Sequence, residues 1–246
     1  MADLIAKDVC HDDRRRVVSS GIQRGRDAQI ANLRAVVDVG VRNMESITIA
    51  TRGERLALTR TRISGGDHRP DAFGVELLNV TEIDADGRIA AGVNFDVDDI
   101  DAAFDELDAR YATGEAAAHA HTWSLVTAGY AALNRRELLA MTPHFANVDH
   151  RRGTSVAPGD LLDLIRVARE ITPDIRYRVE SVHRLTSRGA VVTHVSRGTT
   201  QQGFDAEWRV ITLLTFEGDA VDHCEMFDEA DLDAALARLD QLSRPI

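Results

Sequence analysis

Apolar and polar positions alternate with a period of two over eight stretches, and each reads as a strand. Four lie at about 44–50, 55–63, 73–83 and 88–95, and four more at about 175–185, 190–198, 204–216 and 219–227. Thr51-Arg52-Gly53-Glu54, Ser187-Arg188-Gly189, Asp84-Ala85-Asp86-Gly87 and Glu217-Gly218-Asp219 are hairpin-like turns. The strands of each set are therefore expected to pair antiparallel in sequence order. Helical spacing precedes each set, at Asp27 to Val37 with Ile30, Leu33 and Val37 on one stripe, and at Asp160 to Glu170 with Leu161, Leu164, Ile165 and Ala168. Each set closes with a short amphipathic helix, where Asp98 or Asp231 sits near the positive helix start.

The two sets are copies. Phe95-Asp96-Val97-Asp98-Asp99-Ile100-Asp101-Ala102-Ala103-Phe104 returns as Phe227-Asp228-Glu229-Ala230-Asp231-Leu232-Asp233-Ala234-Ala235-Leu236. Arg52-Gly53 matches Arg188-Gly189, Phe73 with Glu76 matches Phe204 with Glu207, and Asp12-Asp13-Arg14-Arg15 matches Asp149-His150-Arg151-Arg152. The duplication predicts two units, 1–112 and 113–246. The second has more at its front: Ala116 to Ala132, with Trp123, Val126, Tyr130 and Leu133 at helical spacing, and a shorter helix at Arg135 to Met141. Unit one has only Met1 to Val9 there, so it lacks a leading helix and the sheet face under it must be buried some other way.

Composition narrows the classes. The chain has 246 residues, 44% of them apolar, and a net charge of −11. Through Tyr111 there are 15 basic and 21 acidic residues. Neither half is basic, which argues against electrostatic capture of nucleic acid. Cys10 and Cys224 form neither a disulfide scaffold nor a zinc pattern, and read as free thiols of a reducing, cytoplasmic setting. No uncharged run is long enough to span a membrane, and no signal-peptide core is present.

A curved antiparallel sheet around helices that mostly precede it is the arrangement of the NTF2-like superfamily, and these units resemble its SnoaL-like branch. The segments Asp12-Asp13-Arg14-Arg15, Ala50-Thr51-Arg52-Gly53-Glu54-Arg55-Leu56-Ala57-Leu58, His119-Ala120-His121-Thr122-Trp123-Ser124 and Asp149-His150-Arg151-Arg152-Gly153-Thr154, with the repeated Phe-Asp segment of unit two, resemble a tandem NTF2-like module of actinobacteria. That module often ends large regulatory proteins. The resemblance implies an α+β fold of two cone-shaped units, no cofactor, a small apolar or amphipathic ligand, and a homodimer. It spans isomerases, cyclases, epoxide hydrolases, sensors and dimerisation modules, and it transfers no catalytic set to this chain.

Polar residues facing the interior of such a cone are the informative ones. On the last strand of unit one Ile89, Ala91, Val93 and Phe95 share a face; the matching residues of unit two are Val221, His223, Glu225 and Phe227. A carboxylate two residues from an imidazole suits proton transfer, and equally suits an ion pair on a covered face. His150 is a candidate cavity acid or base. Asp149 points to the opposite face, toward Arg151, as a candidate partner or a bracing pair. His194 is a candidate ligand contact or a core histidine. Glu76 and Glu207 are ligand contacts or cross-strand partners of Arg60 and Arg197, and Trp123 and Tyr130 are a pocket wall or core anchors. His119 and His121 share no helical face, and no metal site is expected. Three functions stand open: a binding or sensory module with a mostly apolar pocket in unit two, a cofactor-free enzyme using a His/carboxylate pair, and a dimerisation module.

Overall fold

A computed structural model describes residues 2–17, 19–65, 74–152 and 161–243. The chain divides after Tyr111 into two units. Phe73, Gly153, Thr154 and Asp160, named above, lie outside the described residues.

Unit one runs β1 (Ile5–Asp13), β2 (Gly21–Arg24), α1 (Arg26–Asp38), β3 (Val41–Arg52), β4 (Leu56–Gly65), β5 (Gly74–Ile83), β6 (Ile89–Phe95) and α2 (Ile100–Thr113). Its sheet has the order β2-β1-β6-β5-β4-β3. Unit two runs α3 (Ala120–Asn134), β7 (Met141–Asp149), α4 (Leu161–Ile171), β8 (Arg176–Leu185), β9 (Gly189–Thr199), β10 (Asp205–Glu217), β11 (Ala220–Phe227) and α5 (Leu232–Leu242). Its sheet has the order β7-β11-β10-β9-β8. The fold is α+β, and both hairpin series pair antiparallel as the turns predict. In each unit one more strand, β1 or β7, lies parallel to the last hairpin strand.

Packing follows from the alternation. One face of the unit-two sheet carries Val191, Ile211, Leu213 and Phe227, which meet Ala235 and Leu239 of α5 in a fully buried core. Leu213→Ala is expected to cost about 2–5 kcal/mol, the usual penalty for a cavity in a closed core, and urea unfolding measures it. The other face receives α3, through Trp123 and Val126, 1% and 0% exposed. Asn134 locks that helix to β8, its side chain donating to the Tyr177 carbonyl and accepting from the Tyr177 amide. Before β1, the described residues of unit one form only a 3-10 turn, Ala2–Leu4.

Three expectations are corrected. Arg135 to Met141 is not a helix: Arg136 takes φ 65°, the Glu137 amide closes back on the Ala132 carbonyl, and β7 begins at Met141. The stripe on α1 is not a buried core, since no residue of that helix is fully buried and Val37 is 54% exposed. The Asp-x-Arg-Arg segments align one residue later than their spelling suggests. Asp13 lies beside Asn94 as Asp149 lies beside Met226. Each of these two carboxylates takes the Nε and Nη2 groups of the arginine two residues on, Arg15 or Arg151. His150 therefore stands where unit one has Arg14, which sits over the Phe95 ring as His150 stacks on Phe227.

Candidate functional site

Unit two has an open-mouthed cavity of about 350 Å³ between its sheet, α3 and α4. Period two supplies the sheet side: Val210, Thr212 and Leu214 of β10 face inward, beside His194 and Ser196 of β9. From α3 come Val126 and Tyr130, and α4 adds an aliphatic stripe that includes Ile165 and Ala168. Among the described residues no aspartate or glutamate lines this space.

Two of its hydroxyls, those of Thr212 and Tyr130, meet at His194. Nδ1 of that ring lies 2.9 Å from Thr212 Oγ1 and 3.2 Å from Tyr130 Oη. Within this cluster the hydroxyl hydrogens have Nδ1 as their acceptor, and it can accept only if it carries no proton. With the ring proton on Nδ1, one buried O–H is left over, at a cost of about 1–3 kcal/mol. The network therefore fixes the Nε2–H tautomer, and Nε2 has no hydrogen-bond partner among the described residues. Burial, helped by the nearby Arg151 charge, pulls the His194 pKa down to about 4, so the ring is neutral at pH 7. Burial likewise pushes the Cys224 thiol up to about 12 and raises the Tyr130 phenol. The site thus offers one neutral imidazole N–H donor in a mostly apolar chamber, beside the Arg151 guanidinium held by Asp149 and a protonated Cys224 thiol, and no carboxylate lines it among the described residues.

A depressed histidine pKa has a pH signature. Between pH 6.5 and about 4 the unfolded chain takes up the His194 proton and the folded chain does not, so stability falls as pH drops through that window. The loss of melting temperature from pH 7 to pH 5 is expected to be smaller in His194→Phe than in the parent chain.

The sequence candidates separate into three places. Tyr130 and His194 line the cavity, while Trp123 is buried on α3 outside its wall. Asp149 is buried behind the wall and holds Arg151, whose side chain reaches it. His223, Glu225 and His150 lie on the other face of the sheet. β11 carries a bulge at Asp222, because Phe216 pairs with Val221 but Thr215 with His223. Past the bulge, Cys224 and Met226 face the cavity, and His223, Glu225 and Phe227 face the α5 side.

His150 and Glu225 do meet, at 2.8 Å, but there. Glu225 is completely buried, and its other oxygen accepts from Arg238 of α5 at 2.9 Å. His223 bonds Asp222 at 2.7 Å. Glu207 pairs with Arg197 and Arg209 away from the cavity, and Glu76 pairs with Arg60. Sequence reasoning missed Thr212, Ser196 and Cys224; the one signal for Thr212 was a hydroxyl inside the apolar run of β10. Among the described residues no cluster of three metal-binding side chains occurs.

No protein-family model matches the chain, and no curated protein does. Solved structures are similar over roughly one unit. AclR from Streptomyces galilaeus, described as a candidate hydroxylase, is 18% identical over 49% of this chain and 98% of its own, with a TM-score of 0.39. A candidate SnoaL-like polyketide cyclase from Jannaschia is 18% identical over 52% of this chain and 96% of its own, at 0.36. An NTF2-like protein from Burkholderia pseudomallei is 20% identical over 46% of this chain and 95% of its own, with a TM-score of 0.37.

Proposed function

We propose that unit two is a binding module for a small, largely apolar molecule carrying one hydrogen-bond acceptor, such as a cyclic ketone. The observation that carries this reading is the uncompensated neutral donor, His194 Nε2–H, in a chamber lined mostly by aliphatic and aromatic carbon, where the Arg151 charge is already paired with Asp149. Apolar walls provide affinity through area removed from water, and the one donor orients the guest. The His150–Glu225 pair does not serve a reaction in this chamber, because both side chains stand on the opposite face of the sheet with Arg238. Among the described residues no helix is long and apolar enough to cross a membrane.

The test compares 1-tetralone with tetralin, two bicycles that differ by a carbonyl, as competitors of the neutral fluorophore N-phenyl-1-naphthylamine. The ketone is expected to displace the fluorophore at a concentration about three- to tenfold lower, the worth of one neutral hydrogen bond. In His194→Phe that preference disappears. If neither bicycle displaces the fluorophore, or if the preference survives the substitution, the reading is wrong.

A further inference from the structure

Tyr177 brings a second polar group to the unit-two chamber, one that the His194 network does not use. Its side chain lines the cavity, the residue is 8% exposed, and its phenol makes no hydrogen bond with any described residue. Burial raises the phenol pKa against the pull of the Arg169 charge, so the O–H stays protonated at pH 7. The two bonds between its backbone and the Asn134 side chain fix the place of the residue on β8.

Strand register sets where this phenol stands. Tyr177 of β8, Ser196 of β9 and Trp208 of β10 form one row across the inward face of the sheet. His194 and Val210 belong to the next inward row, two residues along each strand, a step of about 6.6 Å. The Tyr177 and His194 ring centres are 6.0 Å apart. Ser196 is the cross-strand neighbour of Tyr177, yet its hydroxyl donates to the Trp208 carbonyl and the phenol does not bond it.

The fold itself does not require this hydroxyl. In unit one Met44, Ile63 and Val75 stand where unit two has Tyr177, Ser196 and Trp208, and Thr61 stands in place of His194. A wall residue needed only for its ring could be phenylalanine. Once a guest displaces the water beside it, a phenol O–H with no acceptor costs about 1–3 kcal/mol, so the hydroxyl discriminates against guests that bring none.

We infer that the guest of unit two is a hydroxyketone: its carbonyl accepts from His194 Nε2–H, and a hydroxyl across the ring system accepts from the Tyr177 O–H. The inference rests on the ketone-binding reading above and adds the class of guest and the residue that selects it. The step of about 6.6 Å between the two rows puts the second oxygen on the far ring of a bicycle, not beside the carbonyl.

The test is displacement of N-phenyl-1-naphthylamine from the full chain by 5-, 6- and 7-hydroxy-1-tetralone, each set against 1-tetralone. At least one isomer is expected to act at a concentration about three- to tenfold lower than 1-tetralone, the worth of one neutral hydrogen bond. Tyr177→Phe keeps the ring and removes the oxygen. It erases that advantage, while 1-tetralone still outcompetes tetralin. The inference is overturned if no isomer improves on 1-tetralone, or if the improvement survives in Tyr177→Phe. Failure of the ketone-binding reading looks different: 1-tetralone and tetralin then displace equally from the parent chain, and the hydroxyketone inference falls with it.

Discussion

Leu214→Trp is expected to weaken binding of N-phenyl-1-naphthylamine at least tenfold, a change of about 1.4 kcal/mol or more. Leu214 lies mid-strand on the inward face of β10 with part of its surface open to the cavity. A strand residue keeps its side of the sheet, so the indole must enter the space the guest would use. Filling space in a closed core costs about 1–3 kcal/mol; here part of that cost is offset because the space is open. A thermal melt run beside the fluorescence titration separates the effects: binding is lost while cooperative unfolding is retained. Undiminished uptake by a folded Leu214→Trp chain would place the fluorophore elsewhere.

Arg238→Ala is expected to destabilise the chain by about 3 kcal/mol, because it leaves the completely buried Glu225 carboxylate with only the half-exposed His150 ring as partner. Unit one shows how the site is built without a buried charge. Glu225 corresponds to Val93, and the helix position of Arg238 corresponds to Glu106, which pairs with Arg14 at the surface. The double variant Glu225→Val, Arg238→Ala removes the charge together with its partner and should recover most of the loss, as replacement of buried ion pairs by apolar side chains commonly does. Urea unfolding of the two single variants and the double measures this coupling. Equal and additive losses would mean that the pair holds nothing together.

Much of this architecture was legible because it follows local rules. The eight hairpin strands follow one another in sequence order, their turns carry Gly53, Gly87 and Gly218 at positive φ, and the duplicated Phe-Asp segment announces the repeat. What was not legible depends on pairings that local pattern does not encode. β1 and β7 both shift register against their partners, which breaks alternation, and β7 contains Pro143. The same kind of event displaced the site. One extra residue, Asp222, moved His223 and Glu225 from the expected interior to the α5 side and brought Cys224 inward. His194, far from any bulge in its pairing with β10, kept the place the alternation gave it.

The proposed binding by unit two rests on His194 presenting a neutral Nε2–H donor to a guest in the mostly apolar chamber. The most direct measurement is ¹⁵N–¹H correlation of the His194 imidazole in the full chain at pH 7, before and after addition of 1-tetralone and, separately, tetralin. Expected are a proton on Nε2, an unprotonated Nδ1, and an Nε2–H resonance that moves more with the ketone than with the hydrocarbon. A proton on Nδ1, a doubly protonated ring, or an identical response to both bicycles would contradict it.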